Sequence, residues 1–73
     1  MQTYETNLLD RGFRVLDEVA GAEGARGFND LLRVTGINRA TLAKILRTLR
    51  ARRMLEKTAE GYRIGPKAAD YAG

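Results

Sequence analysis

Three residues, Gly36-Ile37-Asn38, separate two stretches whose apolar residues recur at helical spacing, and this short link constrains the chain more than any other feature. A three-residue connection that begins with glycine makes two helices cross steeply over a shared core, and it has the length of the turn in a helix-turn-helix. On its N-terminal side, Asn29 is placed to cap a short helix over 29–35. Leu31, Leu32 and Val34 form that helix's apolar side, Asp30 suits its positive end, and Gly36 is its stop. On the C-terminal side Asn38 is a second cap, and Leu42, Ile45, Leu46 and Leu49 mark the stripe of a helix over 39–52.

The flanking segments complete an element order. Residues 1–7 read as an arm, followed by a helix over 8–20 whose stripe is Leu9, Phe13, Leu16 and Ala20, with Leu8, Val15 and Val19 beside it. Thr6 or Asn7 can cap its start, and Gly21 can supply a left-handed residue at its end. Gly12 inside this helix costs roughly 1 kcal/mol relative to Ala, which points to close backbone packing or to a glycine that is simply tolerated. Gly21 to Gly27 is a loop, and Phe28 anchors its end. A β-hairpin is expected over 54–64, with the four-residue turn Thr58-Ala59-Glu60-Gly61 and with Leu55, Tyr62 and Ile64 facing the core. Gly65-Pro66 then opens a two-turn helix over 66–73. The fold class expected is mainly α with a small β-hairpin: a winged helix-turn-helix, one domain over 1–73, with a three-helix core, a wing and the start of a C-terminal linker helix.

Composition narrows the chemistry. A chain of 73 residues buries only about 60% of its unfolded surface, which supports one modest core without a deep substrate cavity. With no Cys and no His there is no thiol nucleophile, disulfide, zinc-ligand set or imidazole acid/base. Asp17 and Glu18 are adjacent, lie about 100° apart on a helix and read as surface charges. The glycine-rich stretch 21–27 matches no phosphate-loop pattern. No enzyme, cofactor or metal is therefore expected, and with neither a signal peptide nor a membrane span the expectation is a cytoplasmic protein without membrane partners.

Charge supplies the positive signal. Residues 1–30 carry net −3 and residues 31–73 net +7, and Arg33, Arg39, Lys44, Arg47, Arg50, Arg52 and Arg53 follow one another with no acid between Asp30 and Glu56. Such a surface attracts polyanions, DNA foremost, although a solvated helix face would look similar in composition. Opposite the apolar stripe of the third helix lie Ala40, Lys44, Arg47 and Ala51, flanked by Ala43, Thr41 and Thr48. Small residues interleaved with cations suit a major groove, where methyl groups permit close approach and Lys or Arg reaches guanine or phosphate. The candidate DNA contacts are Asn38, Arg39, Ala40, Thr41, Ala43, Lys44 and Arg47 on this helix, with Arg53 at its end and Lys57 and Arg63 on the hairpin. Glu60 at the hairpin tip argues against deep insertion. Asn38 and Thr41 also have a purely structural reading at the helix start.

Four segments carry a family resemblance: Arg11-Gly12-Phe13-Arg14-Val15-Leu16-Asp17, Leu31-Leu32-Arg33-Val34-Thr35-Gly36-Ile37, the run from Ala40 to Leu49, and Tyr62-Arg63-Ile64-Gly65-Pro66-Lys67. In this order and spacing the chain resembles the N-terminal winged-helix domain of IclR-type transcriptional regulators. The resemblance implies a homodimer on a pseudo-palindromic operator in double-stranded DNA, the third helix in the major groove, and Arg39, Ala40, Thr41, Lys44 and Arg47 as contacts. It also implies a small-molecule effector only where a separate C-terminal domain accompanies this one. The two-turn ending reads as the stub of a linker helix in an excised domain, with a stand-alone miniature regulator as the alternative. The chain departs from the family pattern at Asn38, where Pro is usual, at Ala40, where Ser is common, and at Arg53, where Gly is usual. The rival reading is a winged helix used for protein association, marked by binding to an acidic protein surface without duplex preference.

Overall fold

The computed structural model describes residues 7–72. Helices α1 (Asn7–Ala20), α2 (Phe28–Thr35) and α3 (Arg39–Ala51) are followed by strands β1 (Leu55–Thr58) and β2 (Gly61–Ile64) and by helix α4 (Pro66–Ala72). Residues 1–6 of the expected arm, with the candidate cap Thr6, lie outside the described residues, and Asn7, expected as arm or cap, is the first residue of α1.

The turn between α2 and α3 is built from side chains as well as from glycine. Gly36 is left-handed at φ 71°, and its amide donates to the Leu32 carbonyl, which closes α2. Thr35, only 5% exposed, donates its hydroxyl to the Leu31 carbonyl and accepts from the Ile37 amide, so a buried polar group is satisfied twice. Arg14 of α1 donates to the Thr35 carbonyl at 2.7 Å, tying the first helix to this turn. Ile37, a turn residue with no periodic signature, is itself buried in the core. Asn38 then caps α3, its Oδ1 accepting from the Thr41 amide at 2.9 Å.

The core gathers Val15 and Val19 from α1, Leu31 from α2, Ile37, then Leu42, Ile45 and Leu46 from α3 and Leu55 from β1. Leu49, Tyr62 and Ile64 pack at its edge. For α3 the expected stripe is the buried one. For α1 it is not: Leu9 and Phe13 are 59% and 55% exposed and Ala20 is exposed, while Val15 and Val19 are buried. The valines lie roughly 100° around the helix from the Leu9–Phe13–Ala20 line. Leu16 bridges the two sectors, so the apolar arc is wide enough to support either orientation. Leu8 shares the valine stripe but sits in the first turn and is 59% exposed. Gly12 touches nothing that a Cβ would meet within 4 Å among the described residues, so close packing is not its reason.

Three further expectations are corrected. Helix α2 starts one residue early, at Phe28, with Gly27 as a cap that offers no side-chain bond; Asn29 lies inside the helix. Gly21 is not left-handed, and its amide continues the helical pattern to the Asp17 carbonyl at 2.9 Å. In the hairpin Thr58 pairs with Gly61, so the loop is the two residues Ala59 and Glu60. The Thr58 hydroxyl accepts from the Glu60 amide, and Gly61 takes φ 140°.

The loop before α2 also joins the wing. Arg26 and Tyr62 exchange both backbone hydrogen bonds, at 2.9 and 2.7 Å, adding a one-residue third strand to the sheet. A Cβ on Gly61 would stand 2.5 Å from the Arg26 carbonyl oxygen, so glycine is required where the two backbones meet. Arg26 anchors this junction with its side chain, ion-paired to Glu18 of α1 at 3.3 Å and to Asp30 of α2. Hydrogen bonding from Arg26 holds the Asp30 carboxyl below its ordinary value against the opposing effect of burial, with a further lowering from Arg33.

Candidate nucleic-acid interface

The face of α3 turned away from the core carries Ala40, Lys44, Arg47 and Ala51, all exposed, with Arg39 and Arg50 also exposed on its flank. Thr41 and Ala43 are half-buried at the margins of that face. Burial of Leu42, Ile45 and Leu46 fixes this orientation, because residues opposite a buried stripe point outward. Arg33 is set apart from the other cations by its ion pair with Asp30 within α2. Among the described residues, Arg39, Lys44, Arg47 and Arg50 have no carboxylate within ion-pair distance, so their charge faces solvent unneutralised.

Two of the candidates already have structural partners. Asn38 spends its side-chain oxygen on the cap, although the residue is exposed and its amide nitrogen remains open. The Arg39 guanidinium lies 5.3 Å from the centroid of the Phe28 ring, which packs against the core from the first turn of α2. Phe28 is thus a platform that steadies the first cation of α3. In the sequence it stood only as a loop anchor, because a contact between two helix starts leaves no local periodicity.

The wing separates its two cations. In the register Glu56↔Arg63 and Lys57↔Tyr62, Lys57 shares a face with Tyr62 and Arg63 shares the opposite one with Glu56. The Lys57 ammonium sits 5.6 Å from the Tyr62 ring centroid, and Arg63 borders a hollow that also contains Glu23 and Glu60. Lys57 and Arg63 therefore do not form one patch. Arg53 stands at φ 64°, the one described residue other than glycine with positive φ, in a conformation that costs an L-residue about 1–2 kcal/mol.

Beside this face runs a groove of about 530 Å³ between Leu8, Leu9 and Gly12 of α1 and Lys44, Ile45 and Thr48 of α3. Its floor is apolar and its α3 rim is cationic. Among the described residues no helix is long and apolar enough to cross a membrane, and no cluster of three or more acidic side chains is placed to hold a metal ion.

Comparison with curated proteins gives no significant match. Among solved structures, the chain is similar to the Agrobacterium tumefaciens repressor BlcR, with a TM-score of 0.81 and 28% identity over 99% of this chain and 30% of that one. It is also similar to a protein assigned as an IclR transcriptional regulator from Silicibacter sp. TM1040, with a TM-score of 0.78 and 25% identity over 89% of this chain and 26% of that one. The chain thus spans less than a third of either structure's chain. The model of the IclR helix-turn-helix domain matches residues 8–59, from the first turn of α1 through the hairpin turn. That span contains the left-handed Gly36, the Asn38 cap and the outward cations of α3, and by this match the chain belongs to the IclR helix-turn-helix domain family.

Proposed function

We propose that this chain is the sequence-specific, double-stranded DNA-binding unit of a cytoplasmic transcriptional regulator, with α3 in the major groove and the wing on the backbone. The observation that carries the reading is the outward face of α3, where Arg39, Lys44 and Arg47 stand exposed, without acidic partners among the described residues, around the small residues Ala40 and Ala43. Small side chains let the helix backbone approach base edges while the cations reach guanine or phosphate. The membership of the chain in the IclR helix-turn-helix family and its likeness to a repressor support the same reading.

A single module buries only about 600–1,000 Å² on DNA, so binding by one copy is weak and strongly salt-dependent and a second copy strengthens it. The exposed Leu8, Leu9 and Phe13 of α1 offer an apolar surface for that copy and support a homodimer as the functional species. Two copies of α3 would then meet half-sites about 34 Å apart, or a multiple of this, on a pseudo-palindromic operator.

The experiment is operator selection from random duplexes, followed by binding of Lys44→Ala and Arg39→Ala to the selected site and to scrambled DNA. Each variant is expected to lose about 1–3 kcal/mol on the selected site and to relax preference at one base position. An equal loss on all sequences would make these residues phosphate anchors and would remove base reading from this part of α3.

A further inference from the structure

We propose that the cleft between the two arginines that follow α3 and helix α4 binds a phosphate of the DNA backbone through Arg52, Arg53 and Lys67. The proposal rests on the DNA-binding reading and adds a second contact region that is separate from the outward face of α3. The cleft measures about 330 Å³ and is lined by Arg52, Arg53, Pro66, Lys67 and Asp70. Three cations thus face one carboxylate, and among the described residues none of the three makes an ion pair. Guanidinium and ammonium groups so gathered offer several donors to the oxygens of one phosphate.

Backbone hydrogen bonds hold together the segments that carry these cations. Helix α3 ends in a left-handed cap, with the Arg53 amide donating to the Arg50 carbonyl at 2.9 Å and the Met54 amide to the Leu49 carbonyl at 2.8 Å. The equivalent position after α2 is Gly36, at φ 71°; here an arginine is held at φ 64°. Glycine would close the helix without strain, so the strained arginine needs a reason beyond the turn itself. The Lys67 amide donates to the Arg53 carbonyl at 3.0 Å, which locks the two cationic residues to one another. Gly65 leaves room for this, since a Cβ there would stand 2.5 Å from the same carbonyl oxygen. The strain is thus kept at a residue that lines the cleft.

The test uses the 73-residue chain and measures duplex affinity against salt together with thermal stability. Arg53→Gly is expected to raise the melting temperature and to flatten the slope of log affinity on log salt by about 0.9, the value of one phosphate contact, equally on every duplex sequence. Arg53→Ala keeps the left-handed strain and should flatten the slope equally without the gain in melting temperature. Asp70→Asn should tighten binding by removing the opposing charge. If the unaltered chain binds duplex DNA and both Arg53 variants keep its slope, the proposal is overturned. It is equally overturned if inorganic phosphate shifts the Arg53 and Lys67 amide resonances while the duplex slopes stay unchanged, or if an acidic protein surface depends on the cleft and DNA does not. Failure of the unaltered chain to bind any duplex would instead remove the DNA-binding reading, and this proposal with it.

Discussion

Helices α1 and α3 are both amphipathic, yet they use their apolar residues differently. In α3 the apolar stripe is absorbed by the core: Leu42 is 0% exposed and Leu46 2%, and the face left over is small and cationic. In α1 the core takes the two valines, and Leu8, Leu9 and Phe13 are more than half exposed. A helix whose apolar residues are all buried has its outward chemistry defined by what remains. A helix with an apolar arc wider than its core contact keeps a second sticky face, and that face needs a partner or a low concentration. On this account α3 meets DNA and α1 meets another copy of the chain.

The largest test of that contrast is a pair of truncations. Leu42→Ala is expected to destabilise the fold by about 2–5 kcal/mol in chemical unfolding, since it opens a cavity under all three helices. Leu9→Ser should leave the unfolding free energy of the monomer within about 0.5 kcal/mol and instead weaken self-association measured by sedimentation. A large stability loss from Leu9→Ser would mean that α1 faces the core through its other side.

Two smaller effects sharpen the same comparison. Asn38→Ala removes the side-chain bond to the Thr41 amide and should cost about 1 kcal/mol in urea unfolding. It also loosens the first turn of α3, where Arg39 and Thr41 reside. Gly12→Ala in α1 should stabilise the monomer by up to about 1 kcal/mol, because beyond the local helix backbone the added methyl meets no described atom within 4 Å. A loss in that variant that grows with protein concentration would place Gly12 in the contact between copies.

Much of this fold was legible from local signals. The Gly36 stop, the Asn38 cap and the 42-45-46-49 stripe are features in which neighbouring residues satisfy one another, and the structure places each as read. The orientation of α1 was not legible, because periodicity names a helix and leaves open which part of a wide apolar arc meets the core. Equally hidden were the bridge from Arg26 to Tyr62 and the stacking of Arg39 on Phe28, which depend on residues far apart in the chain. The candidate site followed the same division. Its α3 part could be read from spacing, whereas the approach of Lys57 to the Tyr62 ring and the place of Arg63 beside Glu23 and Glu60 depend on contacts between segments apart in the chain.

The most direct measurement of the central claim is fluorescence anisotropy of a labelled random duplex titrated with the chain at several salt concentrations, alongside a labelled single strand. The account predicts preference for the duplex and an affinity that falls steeply and linearly on a log–log salt plot, as cations on α3 displace counterions. Absence of duplex binding even at low salt would contradict it and would make the exposed cationic face of α3 a surface for acidic proteins.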